Sequence, residues 1–206
     1  MSESPATPRP AATILLLRHG GRHAERGVEV LMVRRTPRAK FMPGVWVFPG
    51  GVIEEGESPA ECAARELAEE AGVELATHVE LVAWSRWITP EVVPIRFDTH
   101  FFVALAEPHT KPEPDQTEVT DADWFSPSAA LDAHVAGDLE LVFPTIKTLE
   151  TLVAHPTAEA VIETARMRRI EPIVPRVIGT RAEHRIVLPW DDGYDEAVTD
   201  PGKLAP

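Results

Sequence analysis

The stretch 50-GGVIEEGESPAECAARELAEEAGV-73 decides how this chain is read. It opens on two glycines and sets seven glutamates against one arginine. Ser58 suits an N-cap and Pro59 the first helical position, where a missing N–H is no loss. Glu61 at the third position completes a capping box. Gly72 ends the helix, so Ser58–Ala71 is the predicted element. At about 100° per residue, Ala60, Ala63, Ala64, Leu67 and Ala71 share an apolar face. Glu66, Glu69 and Glu70 fall together on the opposite side. Like charges at i, i+3 and i+4 destabilise a bare helix, so a positive counterpart is expected there. Hard divalent cations take carboxylates, carbonyls and water as ligands. Glu57 adds a fourth carboxylate ahead of the cap, and Gly50-Gly51 brings backbone carbonyls close. Arg65 is placed to hold a neighbouring carboxylate. A solvated acidic face is the plainer reading; the spacing favours a metal site.

Outward from this helix, bulk composition narrows the classes. The chain has 206 residues, 44% of them hydrophobic, and a net charge of −13. One domain with extensions is expected. A resting partner of duplex DNA or RNA is disfavoured by the negative charge. A small anionic ligand fits only where a metal or local arginines neutralise it. Cys62 is the single cysteine, which rules out an intramolecular disulfide and points to the cytoplasm. The opening MSESPATPRPAAT has no apolar signal core and reads as a flexible tail over residues 1–12. No segment approaches the roughly 18 apolar residues of a membrane span.

Strands are predicted at Ala11–Leu17, Val28–Arg35, Val45–Phe48, Leu81–Ile88, Phe97–Ala106 and Arg185–Leu188, with another ending at Asp123–Phe125. Helices are predicted at Ser126–Val135, Pro144–His155 and Ala158–Arg169. Thr36–Gly44 and Glu107–Gln116 read as loops. Strands and helices interleave without regular βαβ alternation, so the expected class is α/β with a mixed sheet and helices on both faces. Residues 13–140 form the expected main domain. Residues 141–206 form a C-terminal helical extension on the same domain, placed either to cap a cleft or to form a homodimer surface.

Gly51, five residues, Glu57, seven residues, then Arg65-Glu66-Leu67-Ala68-Glu69-Glu70-Ala71-Gly72-Val73 resembles the Nudix box without gap or substitution. Seven fixed positions make a chance match roughly one in a million. The resemblance implies a Nudix fold, an α/β/α sandwich around a mixed β-sheet. It also implies hydrolysis of a nucleoside diphosphate linked to another moiety, with Mg²⁺ or Mn²⁺. Carried onto this chain, Glu66, Glu69 and Glu70 face the metal and the Gly50 carbonyl is a further ligand. Arg65 orients the glutamates, Glu57 supports the loop, and Gly51 and Gly72 shape the box. The general base is Glu66 or an acid of a later loop, Glu118 before Asp121. FMPGVWVFPGGV, RWITPE, RFDTHFFVA, FPT and LPWDDGY resemble a subgroup that includes the peroxisomal CoA diphosphatases and bacterial relatives. CoA or acyl-CoA is then the leading substrate; ADP-ribose, dinucleotides and nucleotide sugars are the alternatives. The separate CoA signature before the box and a peroxisomal ending are both lacking.

Beyond the box, Arg34, Arg35, Arg38 and Lys40 form a basic cluster suited to a terminal phosphate or the 3′-phosphate of CoA, or to an ordinary exposed loop. Arg86 and Arg96 flank WITP and are expected to face the same cleft. Trp84 and Trp87 lie an odd number apart on one strand, so they are expected on opposite faces, with Trp87 as the candidate for stacking on a base. Asp98 is expected to order Arg96 or a strand end. Cys62 is expected as a small buried filler. The partner is therefore a small nucleotide-derived molecule, not a nucleic-acid polymer or a membrane. A non-catalytic Nudix-fold nucleotide sensor and an acidic docking module are the rivals from other classes.

Overall fold

Arg9–His19 forms β1, the axis of the structure, because its residues alternate between two apolar layers. The computed structural model describes residues 6–20, 27–39, 42–179 and 184–197. Leu15 and Leu17 face one layer, and Ala12, Ile14 and Leu16 the other. A strand buried on both faces is the signature of a sheet covered by helices on both sides. β1 starts inside the stretch expected to be a tail, pairing Arg9 with Phe97.

On either side of β1 lie β2 (Val28–Arg35), antiparallel, and β6 (Phe97–Leu105), parallel. The path continues through β3 (Trp46–Val47) beyond β2, and β5 (Val82–Ile88) and β8 (Pro172–Ile173) beyond β6. β4 (Gly50–Val52) pairs with β1, and β7 (Val119–Phe125) with β2. The sheet is thus mixed, as expected. The β3 strand is shorter than the sequence suggests, and Gly50–Val52, for which no strand was expected, is a strand in its own right.

Helix α1 (Pro59–Ala71) covers one face, burying Cys62, Ala63, Leu67 and Ala71 against Ala12, Ile14 and Leu16. The other face carries α2 (Pro127–Ala136), α3 (Phe143–Val153) and α4 (Ala158–Met167). Leu149, Leu152, Val161 and Ile162 from these helices complete the second core layer with Leu15, Trp84 and Val103. A separate hairpin joins β9 (Arg176–Gly179) to β10 (His184–Val187). Among the described residues no helix is long and apolar enough to cross a membrane.

One strand expectation fails for a clear reason. Both Trp84 and Trp87 lie in the core layer under α3 and α4. The β5–β6 register shifts between Ala83 and Ser85, leaving Trp84 as an extra residue. A bulge changes the parity of the strand, so two residues at odd spacing share a face. Trp87 packs edge-on against Phe143 at 6.3 Å, on the face away from α1, and is not available for stacking beside the glutamates.

Candidate active site

The start and end of α1 are built as its sequence dictates. Glu61 N–H donates to Ser58 Oγ at 3.3 Å, and Ser58 N–H donates to Glu61 Oε2 at 2.8 Å. Gly72 takes φ +64°, the left-handed C-cap that favours glycine. A Cβ there would also stand 3.0 Å from the Glu113 carbonyl. The loop 113–118 is held against the end of the helix: Glu113 N–H donates to Ala71 O at 2.7 Å and Asp115 N–H to Glu70 O at 3.3 Å.

The buried stripe of α1 is rotated from the expected one. Ala60 and Ala64 are half-buried, whereas Cys62 and Glu70 are buried. The line Cys62, Glu66, Glu70 runs at i, i+4 and i+8 along β4, where Gly51 leaves room for Glu66. A Cβ on Gly51 would collide with the Glu66 carboxylate, and one on Gly50 with Thr13 Oγ1 and the Ala12 carbonyl. The three glutamates therefore differ. Glu70 is 4% exposed, Glu66 is largely buried, and the Glu69 side chain is 61% exposed.

Arg65 gathers the acids. Its Nε donates to Glu57 Oε1 (2.8 Å), its Nη1 to Glu66 Oε1 (2.8 Å) and Glu69 Oε2 (2.9 Å), and its Nη2 to Glu57 Oε2 (3.0 Å) and Val52 O (3.2 Å). These partners, Glu57 first, hold the guanidinium charged well above its ordinary pKa. In return Arg65 holds the Glu57 carboxyl down to about 2. Burial pushes Glu66 upward against the pull of Arg65. Burial pushes Glu70 up to about 8, opposed by the Gly50 N–H, which donates to Glu70 Oε2 at 3.0 Å, and by the charge of Arg35. Cys62 is fully buried, its thiol pushed up to about 11 by desolvation, as a filler would be.

Arg65, Glu66, Glu69 and Glu70 line a cleft of about 720 Å³ with Arg9, Glu54, Glu55, Asp115 and Glu118. Glu118 enters it from the loop before β7. The Asp115 carboxylate accepts the N–H groups of Glu118 (3.0 Å) and Val119 (2.9 Å). Thr36 N–H donates to the Glu118 carbonyl at 2.8 Å. Burial raises the Asp115 carboxyl, but these backbone donors outweigh it and leave its pKa lowered. Asp115 and Arg9 were not singled out by the sequence reading. Arg9 sat in an apparent tail between two prolines. For Asp115 the signal existed: Asp-x-x-Glu is the pattern of a capping turn.

Several expected residues lie elsewhere. Arg34 donates to the Gly44 carbonyl at 3.2 Å and stands 3.8 Å from Asp121. Strand alternation explains this: Arg35, not Arg34, shares the α1 face with Leu31 and Val33. Arg38 is exposed and does not line the cleft. Lys40 lies outside the described residues. Arg96 is buried, donating to Thr89 O (3.0 Å) and Ala6 O (2.8 Å), and so anchors backbone rather than substrate. Arg86 forms a fork with Asp98 at 2.7 and 2.6 Å, so Asp98 orders Arg86 and not Arg96. Asp121 sits on the surface beside Thr120 and Arg34.

Among the described residues no three His, Cys, Asp or Glu side chains already converge at metal-ligand spacing. Glu66 and Glu69 share Arg65, and Glu70 rests on Gly50. The donor set nonetheless fits a hard divalent cation. Every candidate ligand is oxygen, and buried Glu70 needs a nearby positive charge to be an anion at neutral pH. Ile14 N–H donates to Pro49 O and Ile53 N–H to Pro10 O, so Thr13–Gly50 is a non-hydrogen-bonded pair of the β1–β4 ladder. The Gly50 N–H and carbonyl therefore both point away from β1, toward the glutamates.

The site is thus a carboxylate-lined cleft along the C-terminal half of α1, bordered by the glycines of β4, in a mixed sheet covered by helices on both faces. Comparison with known proteins sharpens it. The NUDIX domain profile matches residues 7–143. The chain is 27% identical to the putative nudix hydrolase 7 of Caenorhabditis elegans over 80% of this chain and 68% of that one. It is 37% identical to the NAD-capped RNA hydrolase NudC of Pseudomonas aeruginosa over 49% of this chain, spanning 33% of that relative's length. The crystal structure of a NUDIX hydrolase from Alicyclobacillus acidocaldarius matches with a TM-score of 0.67 at 27% identity, covering 76% of this chain and 96% of that one. The chain belongs to the Nudix family of hydrolases. Enzymes of this family act on nucleoside diphosphate derivatives and generally use divalent metal ions.

Proposed function

We propose that this chain hydrolyses the diphosphate linkage of a nucleoside diphosphate joined to another moiety, with Mg²⁺ or Mn²⁺ held by Glu66, Glu69, Glu70 and the Gly50 carbonyl. The observation that carries this is buried Glu70, held by the Gly50 N–H, beside a Glu66 carboxylate that occupies the space a Cβ on Gly51 would take. When bound, the cation neutralises diphosphate oxygens and acidifies water. The chain's own residues do the rest. Arg65 keeps Glu57, Glu66 and Glu69 in one array. Arg9, at the rim, offers a guanidinium to a phosphate oxygen. Glu118 takes the proton of the attacking water, because Glu66 Oε1 is engaged by Arg65. No hydrogen bond to the Glu118 carboxylate occurs among the described residues.

Two observations bear on the leaving moiety. The motifs around the box favour CoA or acyl-CoA. The NudC relative, by its name, acts on NAD-capped RNA, which favours an NAD-type dinucleotide linkage. Both substrates carry an adenosine diphosphate half, and the carboxylate cleft handles that shared half. Arg34 and Arg38 stand away from the cleft, which weakens the case for the extra phosphate of CoA, so we place the dinucleotide first. A mass-spectrometric panel of NADH, ADP-ribose, CoA, acetyl-CoA and diadenosine polyphosphates, with Mg²⁺ and then Mn²⁺, decides this. The expected result is NADH and water converted to AMP and reduced nicotinamide mononucleotide. Cleavage of CoA alone would restore the CoA subgroup. Binding of nucleotide without turnover of any member would replace the enzyme with a sensor.

A further inference from the structure

A second pocket, of about 340 Å³, lies on the opposite face of the sheet, between α3, the end of α4 and residues 188–191. It shares no lining residue with the carboxylate cleft. Its volume falls in the range of small-molecule sites. Three of its features have no use in the fold as it stands.

The first is Arg168. Its guanidinium lies 3.7 Å above the Trp84 ring and is half-buried. It has no ion pair among the described residues. A guanidinium over an indole spends its face and leaves its edge N–H donors available. Burial alone lowers its pKa, as expected for a cation without a counter-ion. Of the other lining charges, Lys147 pairs with Glu150 at 2.9 Å, and the Asp191 carboxylate is held by the Leu188 N–H, which donates to its Oδ2 at 2.8 Å.

The second is Thr148, on α3 and 2% exposed, whose Oγ1 has no hydrogen-bond partner. Helical threonines commonly donate to the carbonyl four residues back. Thr151 and Thr164 do so, to Lys147 O and Ala160 O. Thr148 does not, and a buried hydroxyl left unpaired costs about 1–3 kcal/mol. The third is Trp190, 66% exposed at the rim, beside the apolar side chains of Ile173 and Leu188. An indole held open to solvent next to an unpaired cation is a combination suited to a flat ring with a negative substituent.

We propose that this pocket binds a planar aromatic molecule carrying one anionic group, the anion meeting Arg168 and the Thr148 hydroxyl and the ring lying against Trp190. The site lies across the sheet from the hydrolytic cleft, so its ligand is a second molecule and not an extension of the substrate.

The test is calorimetric titration of the full chain with 1-naphthoate, and with two fragments of it, acetate and 1-naphthylmethanol. Saturable one-site binding of 1-naphthoate is expected, with each fragment at least about tenfold weaker. Arg168→Gln is expected to weaken 1-naphthoate binding by about tenfold or more, with Glu70→Gln leaving it unchanged. Should Arg168→Gln fail to fold, Trp190→Ala at the exposed rim replaces it, with a severalfold loss expected. Absence of saturable binding would overturn the proposal. So would binding that survives the Arg168 or Trp190 change, or binding that is lost in Glu70→Gln, which would place the probe in the hydrolytic cleft.

Discussion

Glu70 shows how one residue serves two opposed demands. It is buried like a core residue yet belongs to the carboxylate set. Its pKa of about 8 in the folded chain lies above that of an exposed glutamate. Between about pH 4.5 and 8 the metal-free folded state therefore holds a proton that the unfolded state has released. By linkage its contribution to stability is full below pH 4.5 and is lost as pH rises toward 8. Thermal unfolding of the metal-free protein should show this fall, Glu70→Gln should flatten it, and saturating Mg²⁺ should reverse it. A Glu70→Gln profile with the wild-type slope would reassign the buried proton. Gly51 is the complementary case. Gly51→Ala places a methyl on the Glu66 carboxylate, so we expect turnover to fall by about tenfold or more with the melting temperature little changed. Full activity would mean that the Glu66 position is not required.

At the scale of elements, the helix was readable because capping box, proline, alanine stripe and terminal glycine all agree. Ser58→Ala should destabilise the chain by about 1 kcal/mol in denaturant unfolding, and no change would mean that the cap contributes nothing. What the helix pattern could not show was its rotation. An alanine stripe is nearly featureless, so Cys62 and Glu70 replace Ala60 and Ala64 in the buried face without breaking any periodicity. The bulge at Trp84 was hidden for a similar reason: nothing in VAWSRWI marks an extra residue, and both tryptophans suit a core. The loop 113–118 is the element whose importance was least visible. It is pinned to the last turn of α1 and presents Glu118 through the Asp115 carboxylate. Asp115→Ala should lower kcat by about tenfold with a smaller effect on KM, while Asp115→Asn, whose carbonyl still accepts N–H groups, should retain most activity. Equal loss in both variants would indicate that the charge, not the turn, is what matters.

At the scale of the molecule, the mixed sheet follows from alternation along β1, and the two helical layers follow from the sequence order of the elements. The partner strands across the sheet do not. Parallel pairing of β1 with β6 joins residues about ninety apart, and no local signal encodes it. This long-range closure is what brings Arg9 to the cleft and lets Arg96 hold Ala6. It also explains why the basic cluster misled: proximity in sequence to the box does not survive the alternation of β2, which turns Arg35 toward Glu70 and Arg34 away. Placing α1 and the other three helices on opposite faces separates the carboxylate cleft from the Arg168 pocket.

The central claim is that the carboxylates of α1 hold a divalent cation. Mn²⁺ binding to the wild-type chain and to Glu70→Gln, followed by electron paramagnetic resonance, addresses it without need of a substrate. The account predicts saturable binding by the wild type and an affinity at least about tenfold weaker in the variant. Equal Mn²⁺ affinity in the two folded proteins would contradict it.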